Sequence, residues 1–378
     1  MAGWFLRGDL PPVGNRVLLR ADLPPPQFPG YSFHGLNSGT AALALALIVA
    51  RTRQPTIREP KVLLPAYGCP DLVAAAEFAK LQPVLVDVGQ EDPGYSLDSL
   101  ERALTPETVA VVAVNFLGIS ERLAEIRRLL ERFPQTALIE DDAQWLPAAT
   151  DRRQPMGDLV CFSFGRGKPL SLLGGGALLV RDDGDVRIPA GAIDPAEEPG
   201  PSFAVKTLLF NTLLRRHVYW IVNRNPLIRV GQTAFKPLTQ ISALDKTRSC
   251  YLGPNVAAYS ARSRAIESSW SQALAQLKTV KPLPVEEERK GRLLRYPVLC
   301  RSLVERDELL LRLRRAGLGA TAMYQRPLAQ VTGVEGKVRI FEGSEGARAF
   351  AERLLTLPVH EQVTQNDVRR AAEVLAGF

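Results

Sequence analysis

Short apolar runs alternate with longer amphipathic or Ala/Leu-rich stretches through the first half of the chain. KVLLP (61–65), PVLVDV (83–88), VAVVAV (109–114), TALIED (136–141), LVCFSF (159–164) and GGALLVRD (175–182) read as strands. VAVVAV has no polar position, the pattern of a strand covered on both faces. Between them, 40–52 and 71–81 are rich in Ala and Leu and read as helices. The stretch 96–104 is a helix with Ser96 at its N-cap, and 121–133 repeats Leu123, Ile126, Leu129 and Leu130 at helical spacing. Strands joined by helical crossovers predict a mostly parallel sheet between helix layers.

After residue 185 the pattern changes. Pro189, Pro195, Pro199 and Pro201 predict an exposed loop over 186–202. The stretch 205–222 is strongly apolar but interrupted by Arg215, Arg216 and His217. It predicts one helix buried in the protein or at a subunit contact, with membrane-surface association as the alternative. Further on, 255–277 reads as a long helix, 292–300 as a strand, and 305–317 as a helix ending at Gly317 in a left-handed cap. The stretch 319–324 reads as a strand, 346–357 as a helix, and 364–378 as a last helix capped by Thr364. The expectation is an α/β protein: a large, mainly parallel sheet domain over 1–248 and a smaller C-terminal α+β domain over 249–378.

With 378 residues, 46% of them hydrophobic, the chain has room for two domains and too much apolar content to be mainly disordered. Its longest apolar run, Ala41 to Ala50, has ten residues, against roughly 20 for a membrane span. The start, with Arg7, Asp9 and two prolines, does not read as a secretory signal. A net charge of +7 favours anionic ligands. Without a helix-turn-helix, zinc spacing or RNA-binding aromatics, nucleic acid is not an expected partner. Four scattered cysteines with no C-x-x-C pair suit a reducing cytoplasm. None of the three histidines is spaced for a metal; His360 reads as a structural turn residue.

Three stretches at strand ends or helix starts carry candidate chemistry, the place where open α/β sheets hold ligands. In LNSGTAAL (36–43) the N–H groups of Gly39, Thr40 and Ala41 begin a helix and suit an anion. In ALIEDDAQ (137–144) a buried strand ends in Glu140, Asp141 and Asp142, whose mutual repulsion calls for a cationic partner. In FSFGRGKPLSLLGGGALLV (162–180) a glycine-rich turn carries Lys168. It fails as a P-loop, because Phe162 and Pro169 stand where Gly and Ser/Thr are required.

Taken in this order, with VLLPAYGCPDLVAAAEFAKLQPVLVDV before them and LLTLPVHEQVTQNDV (354–368) after, these stretches resemble the DegT/DnrJ/StrS sugar aminotransferases. The resemblance implies the aspartate-aminotransferase fold (fold type I) with pyridoxal 5'-phosphate (PLP) as cofactor. It implies that Lys168 binds the cofactor as a Schiff base, that Ser163, Gly39 and Thr40 hold its phosphate, and that Asp141 pairs with the pyridine nitrogen. Gln144 matches a glutamine on the ring's hydroxyl side. Tyr67 and Cys69 lie on the segment that supplies a ring-stacking residue, where relatives usually carry an aromatic at the Cys69 position. It also implies a homodimer that moves an amino group, from glutamate as the leading donor, to a keto-sugar, with a nucleotide-linked sugar of polysaccharide or secondary-metabolite biosynthesis leading.

The physical logic runs the same way. A Schiff base needs a lysine that can lose its proton. The cofactor is an electron sink only while its ring nitrogen stays protonated, so a carboxylate must face it. At about 4 Å and an effective dielectric near 20 that pair is worth roughly 4 kcal/mol. Lys168 present where related dehydratases carry histidine favours transamination. Two departures keep other readings open, namely a different reaction on the same cofactor, such as condensation or dehydration, and an inactive regulatory binder. The Gly-Glu-Gly-Gly after the lysine is replaced by Leu173-Gly174-Gly175-Gly176, and an Asn-Arg-Met-like stretch by TQISALDKTRS (239–249).

Overall fold

In the computed structural model, which describes residues 8–147, 153–182, 187–200, 202–224 and 234–378, the apolar runs of the first half become strands with nearly the expected limits. They are β1 (Tyr31–Leu36), β2 (Lys61–Pro65), β3 (Gln82–Val86), β4 (Thr108–Val114), β5 (Ala137–Asp141), β6 (Leu159–Ser163) and β7 (Gly176–Arg181). Later strands are β8 (Val280–Pro282), β9 (Arg295–Cys300), β10 (Arg339–Ile340) and β11 (Leu354–Pro358). Among the described residues, eight strands form one sheet in the order β1-β7-β6-β5-β4-β2-β3-β10. It is parallel except for β7, which runs against both β1 and β6. A three-stranded antiparallel sheet, β11-β9-β8, stands apart from it. This is the expected α/β class with a large, mainly parallel sheet.

Helices cover the large sheet as the alternation requires. Gly39–Thr52 buries Ala41 through Leu47 without interruption and packs on β6, β7 and the helix Asp71–Phe78. Ser38 caps it by accepting the Ala41 N–H at 3.0 Å, so that N–H is not one of the donors left for an anion. Ser96 and Thr364 cap their helices as read, and Gly317 takes the left-handed conformation at φ +70°.

Four readings need correcting, each for a local reason. The helix of 346–357 stops at Arg353, and Leu354–Pro358 is β11. That run is buried at every position, as a sheet interior allows and one helix face does not. The strand of 319–324 shrinks to a single bridge, Thr321 to Thr356, because Gly319 and Met323 have positive φ. The helix of 255–277 is two, Lys246–Ser260 and Ala265–Leu274, with the Ser263 hydroxyl accepting the Ala265 N–H at 3.1 Å. The apolar helix of 205–222 is also two, Ser202–Leu213 and Arg216–Arg224, and its outer stripe faces solvent. Within the loop read at 186–202, Val186 and Pro201 lie outside the described residues.

Residues 9–17 run between the two sheets and tie them together. Leu10 N–H donates to Gly317 O at 2.8 Å. The buried Arg295 guanidinium donates to Pro12 O, to Gly319 O at 2.8 Å and to Thr356 O at 2.9 Å. His360, also buried, donates from Nε2 to Pro11 O at 2.9 Å and accepts the Gln362 N–H on Nδ1 at 3.3 Å. One ring nitrogen donating and the other accepting is the neutral imidazole. Burial first, then the charges of Arg295, Arg262 and Arg216, push its pKa down to about 3. The structure therefore gives His360 the turn role.

A histidine depressed in the folded state binds a proton sooner when unfolded, so its contribution is intact above the unfolded value near 6.5 and drains away as pH falls toward about 3. Denaturant titrations of the parent and of His360→Gln should diverge below pH ~6.5. The parent is expected to lose about 1.4 kcal/mol per pH unit relative to the variant. Parallel curves would refute the burial of a neutral ring.

Candidate active site

The C-terminal ends of β2, β4, β5 and β6 point the same way, and the segments leaving them meet. After β2 come Tyr67, Gly68 and Cys69; after β4, Asn115, Phe116 and Leu117; after β5, Asp142 to Gln144; after β6, the turn that carries Lys168. Gly68, Cys69, Val114, Phe116, Asp141, Gln144, Lys168 and Tyr324 line one cavity. The cavity volume is about 20 Å³.

The three acids at the end of β5 are sorted by the alternation of strand side chains. Glu140 and Asp142 share one face, and Asp141 takes the other. On the first face the fully buried Glu140 carboxylate accepts from Asn115 Nδ2 at 2.9 Å, Arg153 at 2.6 Å, and the N–H groups of Met156 (2.7 Å) and Gly157 (3.0 Å). Asp142 also accepts from Asn115 and lies 3.7 Å from Arg153. Burial and the Glu140 charge push the Asp142 carboxyl well up. The cation that the repulsion argument called for is thus Arg153, whose guanidinium also stacks over Trp145 at 3.9 Å.

Asp141 alone turns into the cavity. Burial raises its pKa, while the Ala143 N–H, donating to Oδ1 at 2.9 Å, and the charge of Lys168 pull it back. Lys168 is felt by Cys69 as well, whose thiol is pushed up to about 12, by burial first and then by Asp71. At neutral pH Cys69 is therefore an uncharged wall. Gln144 is pinned at both ends of its amide: Oε1 accepts the Leu117 N–H at 3.0 Å and Nε2 donates to the Tyr324 hydroxyl at 3.2 Å. Leu117 presents that N–H from a left-handed backbone at φ +56°.

The remaining sequence candidates fall around this cavity. Gly39 packs on Ser163 so closely that a Cβ on it would sit 2.5 Å from Ser163 Cβ and 2.7 Å from Oγ. Ser163 pairs in register with Gly176, where a Cβ would meet Gly39 N at 2.6 Å. A Cβ at Gly165 would lie 3.6 Å from the Ser163 hydroxyl and 3.9 Å from Lys168 Cγ. The serine, the helix start and the lysine are thus neighbours. Thr40 follows at the same helix start, half-buried. Tyr67 does not line the cavity; it is buried edge-on against Phe116, Tyr324 and Phe350, with ring centroids 5.0–5.6 Å away. Gly174, in the place of the family's glutamate, has φ +151° between left-handed Leu173 and Gly175, and Arg248 covers the turn by donating to Leu172 O at 3.1 Å. A side chain at Gly174 would be strained.

Sequence reasoning missed Phe116, Tyr324, Arg153 and Asn15. Asn15 donates through Nδ2 to the carbonyls of Lys168 (3.0 Å) and Pro169 (2.7 Å) and accepts from Arg262 at 2.9 Å. It lies 153 residues from Lys168, and nothing in the local pattern signals it. The two aromatics show only as ordinary core residues. Arg153 was recoverable in kind, as the cation that three adjacent acids demand.

A family model described as the DegT/DnrJ/EryC1/StrS aminotransferase family matches residues 33–188 and 254–376. The chain is 34% identical over 156 residues to a dTDP-3-amino-3,4,6-trideoxy-alpha-D-glucose transaminase of Micromonospora megalomicea subsp. nigra, a match that spans 40% of each protein. It is 24% identical over 349 residues, 90% of this chain and 82% of the other, to a UDP-N-acetyl-3-dehydro-alpha-D-glucosamine 3-aminotransferase of Acidithiobacillus ferrooxidans. The fold is similar, at TM-score 0.68 and 16% identity over 92% of this chain and 88% of the other, to an E. coli GDP-4-keto-6-deoxy-D-mannose-3-dehydratase with bound hydrated PLP.

Removing the Asn15 amide leaves two carbonyls of the lysine turn without their donor. Asn15→Ala is expected to lower the unfolding free energy by about 1–2 kcal/mol, measured by denaturant titration at neutral pH. A midpoint equal to the parent's would show that water replaces the amide without cost.

Proposed function

From membership of the DegT/DnrJ/EryC1/StrS aminotransferase family, to which this chain belongs, we propose that it is a PLP-dependent enzyme moving an amino group from glutamate to a keto-sugar carried on a nucleotide. The observation that carries the reading is the meeting of Lys168 and Asp141 in one cavity. The residues suit the cofactor in kind. Lys168 offers an amine, Asp141 a buried carboxylate with no arginine among its described electrostatic partners, and Ser163 with Gly39 and Thr40 a hydroxyl at a helix start that favours a phosphate. Bound there, the cofactor would supply an electron sink for the substrate's α-carbon.

The chain's own groups then divide the work. Lys168 would hold the cofactor and, once released by an incoming amine, move a proton to or from the substrate carbon. Asp141 would keep the ring nitrogen protonated. The positive charge on the protonated ring would in turn offset the burial that favours the neutral acid at Asp141. Gln144, already fixed by Leu117 and Tyr324, would meet the ring's hydroxyl side, and neutral Cys69 would cover a ring face in place of an aromatic. In this reading a second copy of the chain completes the site, and the +7 charge favours the nucleotide's phosphates.

Purified protein supplied with PLP should be yellow, and borohydride should fix the cofactor to a peptide containing Lys168. Lys168→Ala should stay colourless; equal colour in variant and parent removes that residue from the reading. Asp141→Asn should fold and bind cofactor, with turnover of a keto-sugar nucleotide reduced on the order of a hundredfold or more. Near-parental turnover contradicts the electron-sink role.

A further inference from the structure

The family model leaves residues 189–253 unmatched, and the helices Ser202–Leu213 and Arg216–Arg224 lie inside that stretch. Their inner side is anchored: Phe203, Thr207, Leu214 and Tyr219 are buried, Asn211 exchanges two hydrogen bonds with the Val17 backbone (2.8 and 2.9 Å), and Arg216 pairs with Asp367 at 2.6 Å. Their outer side is apolar. Val205 is 66% exposed, Leu208 60%, Leu209 58%, Ile221 61% and Trp220 41%. Positions 205, 208 and 209 make one helical stripe, and 217, 220 and 221 make the next, on helices joined by two residues.

Charge narrows what can cover these stripes. From Pro199 to Leu244 the chain has no Asp or Glu, although it carries 40 acidic residues in all, and it has six lysines and arginines in that stretch. Lys206 and Arg215, exposed, flank the stripes. A second copy meeting this face with its own would set cation against cation, with no acid in the stretch to answer it. An anionic bilayer answers both features: Leu, Val and Ile enter the acyl boundary, Trp sits at headgroup level, and Lys and Arg meet phosphate. We propose that this helix pair docks the protein peripherally on a membrane surface of anionic phospholipid. No described helix is long and apolar enough to cross a membrane, so the contact is lateral. It does not depend on which sugar the active site takes.

The test is co-sedimentation of the full chain with vesicles of phosphatidylcholine alone or mixed with phosphatidylglycerol. Binding is expected to the mixed vesicles only and to weaken with added salt. Lys206→Glu and Arg215→Glu should each weaken it about fivefold or more. Leu208→Asn with Leu209→Asn should weaken it at least tenfold, with thermal unfolding and oligomeric state unchanged. Three results overturn the proposal: no binding to the mixed vesicles, equal binding to both kinds, or a double variant that changes the oligomeric state and leaves vesicle binding as in the parent. The last would make the face a contact between copies.

Discussion

A strand that ends in three consecutive acids sets like charges side by side, and the alternation at the end of β5 separates them. Glu140 and Asp142 turn to Arg153 and Asn115, where hydrogen bonds and one guanidinium hold them. Asp141 turns the other way and places its carboxyl in the cavity that Lys168 also lines. Slipping the register by one residue would send two acids into the cavity and leave Arg153 with one. Asn115 fixes the arrangement further, since its Oδ1 accepts the Glu121 N–H at 2.9 Å while its Nδ2 spans the two outer acids. The electrostatics of the cavity thus rest on groups that never face it.

A second support comes from the start of the described chain, outside the family-matched span. Residues 9–17 carry little secondary structure, yet their carbonyls and amides take up Arg295, His360, Gly317 and Asn211, and Asn15 reaches the lysine turn. The segment therefore couples the small sheet to the backbone of Lys168. Buried arginine and neutral histidine donating to carbonyls satisfy that backbone where no sheet partner does.

Much of this was legible in the residues. Strand runs such as VAVVAV and TALIED declare themselves by apolar continuity, and Ser96, Thr364 and Gly317 by their cap chemistry. Lys168, Asp141, Gln144 and Cys69 were legible because a motif orders them along the chain. The failures have physical causes. Leu354–Pro358 follows a helix without a break in apolar pattern, and only pairing with β9 makes it a strand. Two-residue β10 has no pattern to show; its place is set by the edge of β3. Tyr67, assigned to the cofactor through its segment, is claimed by an aromatic cluster that draws Phe116, Tyr324 and Phe350 from distant parts of the chain. Asn15 and Arg153 act through tertiary contact alone.

The short strand β10 has a wider implication. Arg339 and Ile340 come from the late part of the chain, yet they extend the early sheet by pairing with β3, and Phe341 N–H continues the ladder to Leu85 O at 2.9 Å. The two halves are interleaved and no single cut separates them cleanly. A fragment ending near residue 248 would bare the rim of β3, a row of unpaired amides and carbonyls open to stacking with its own kind.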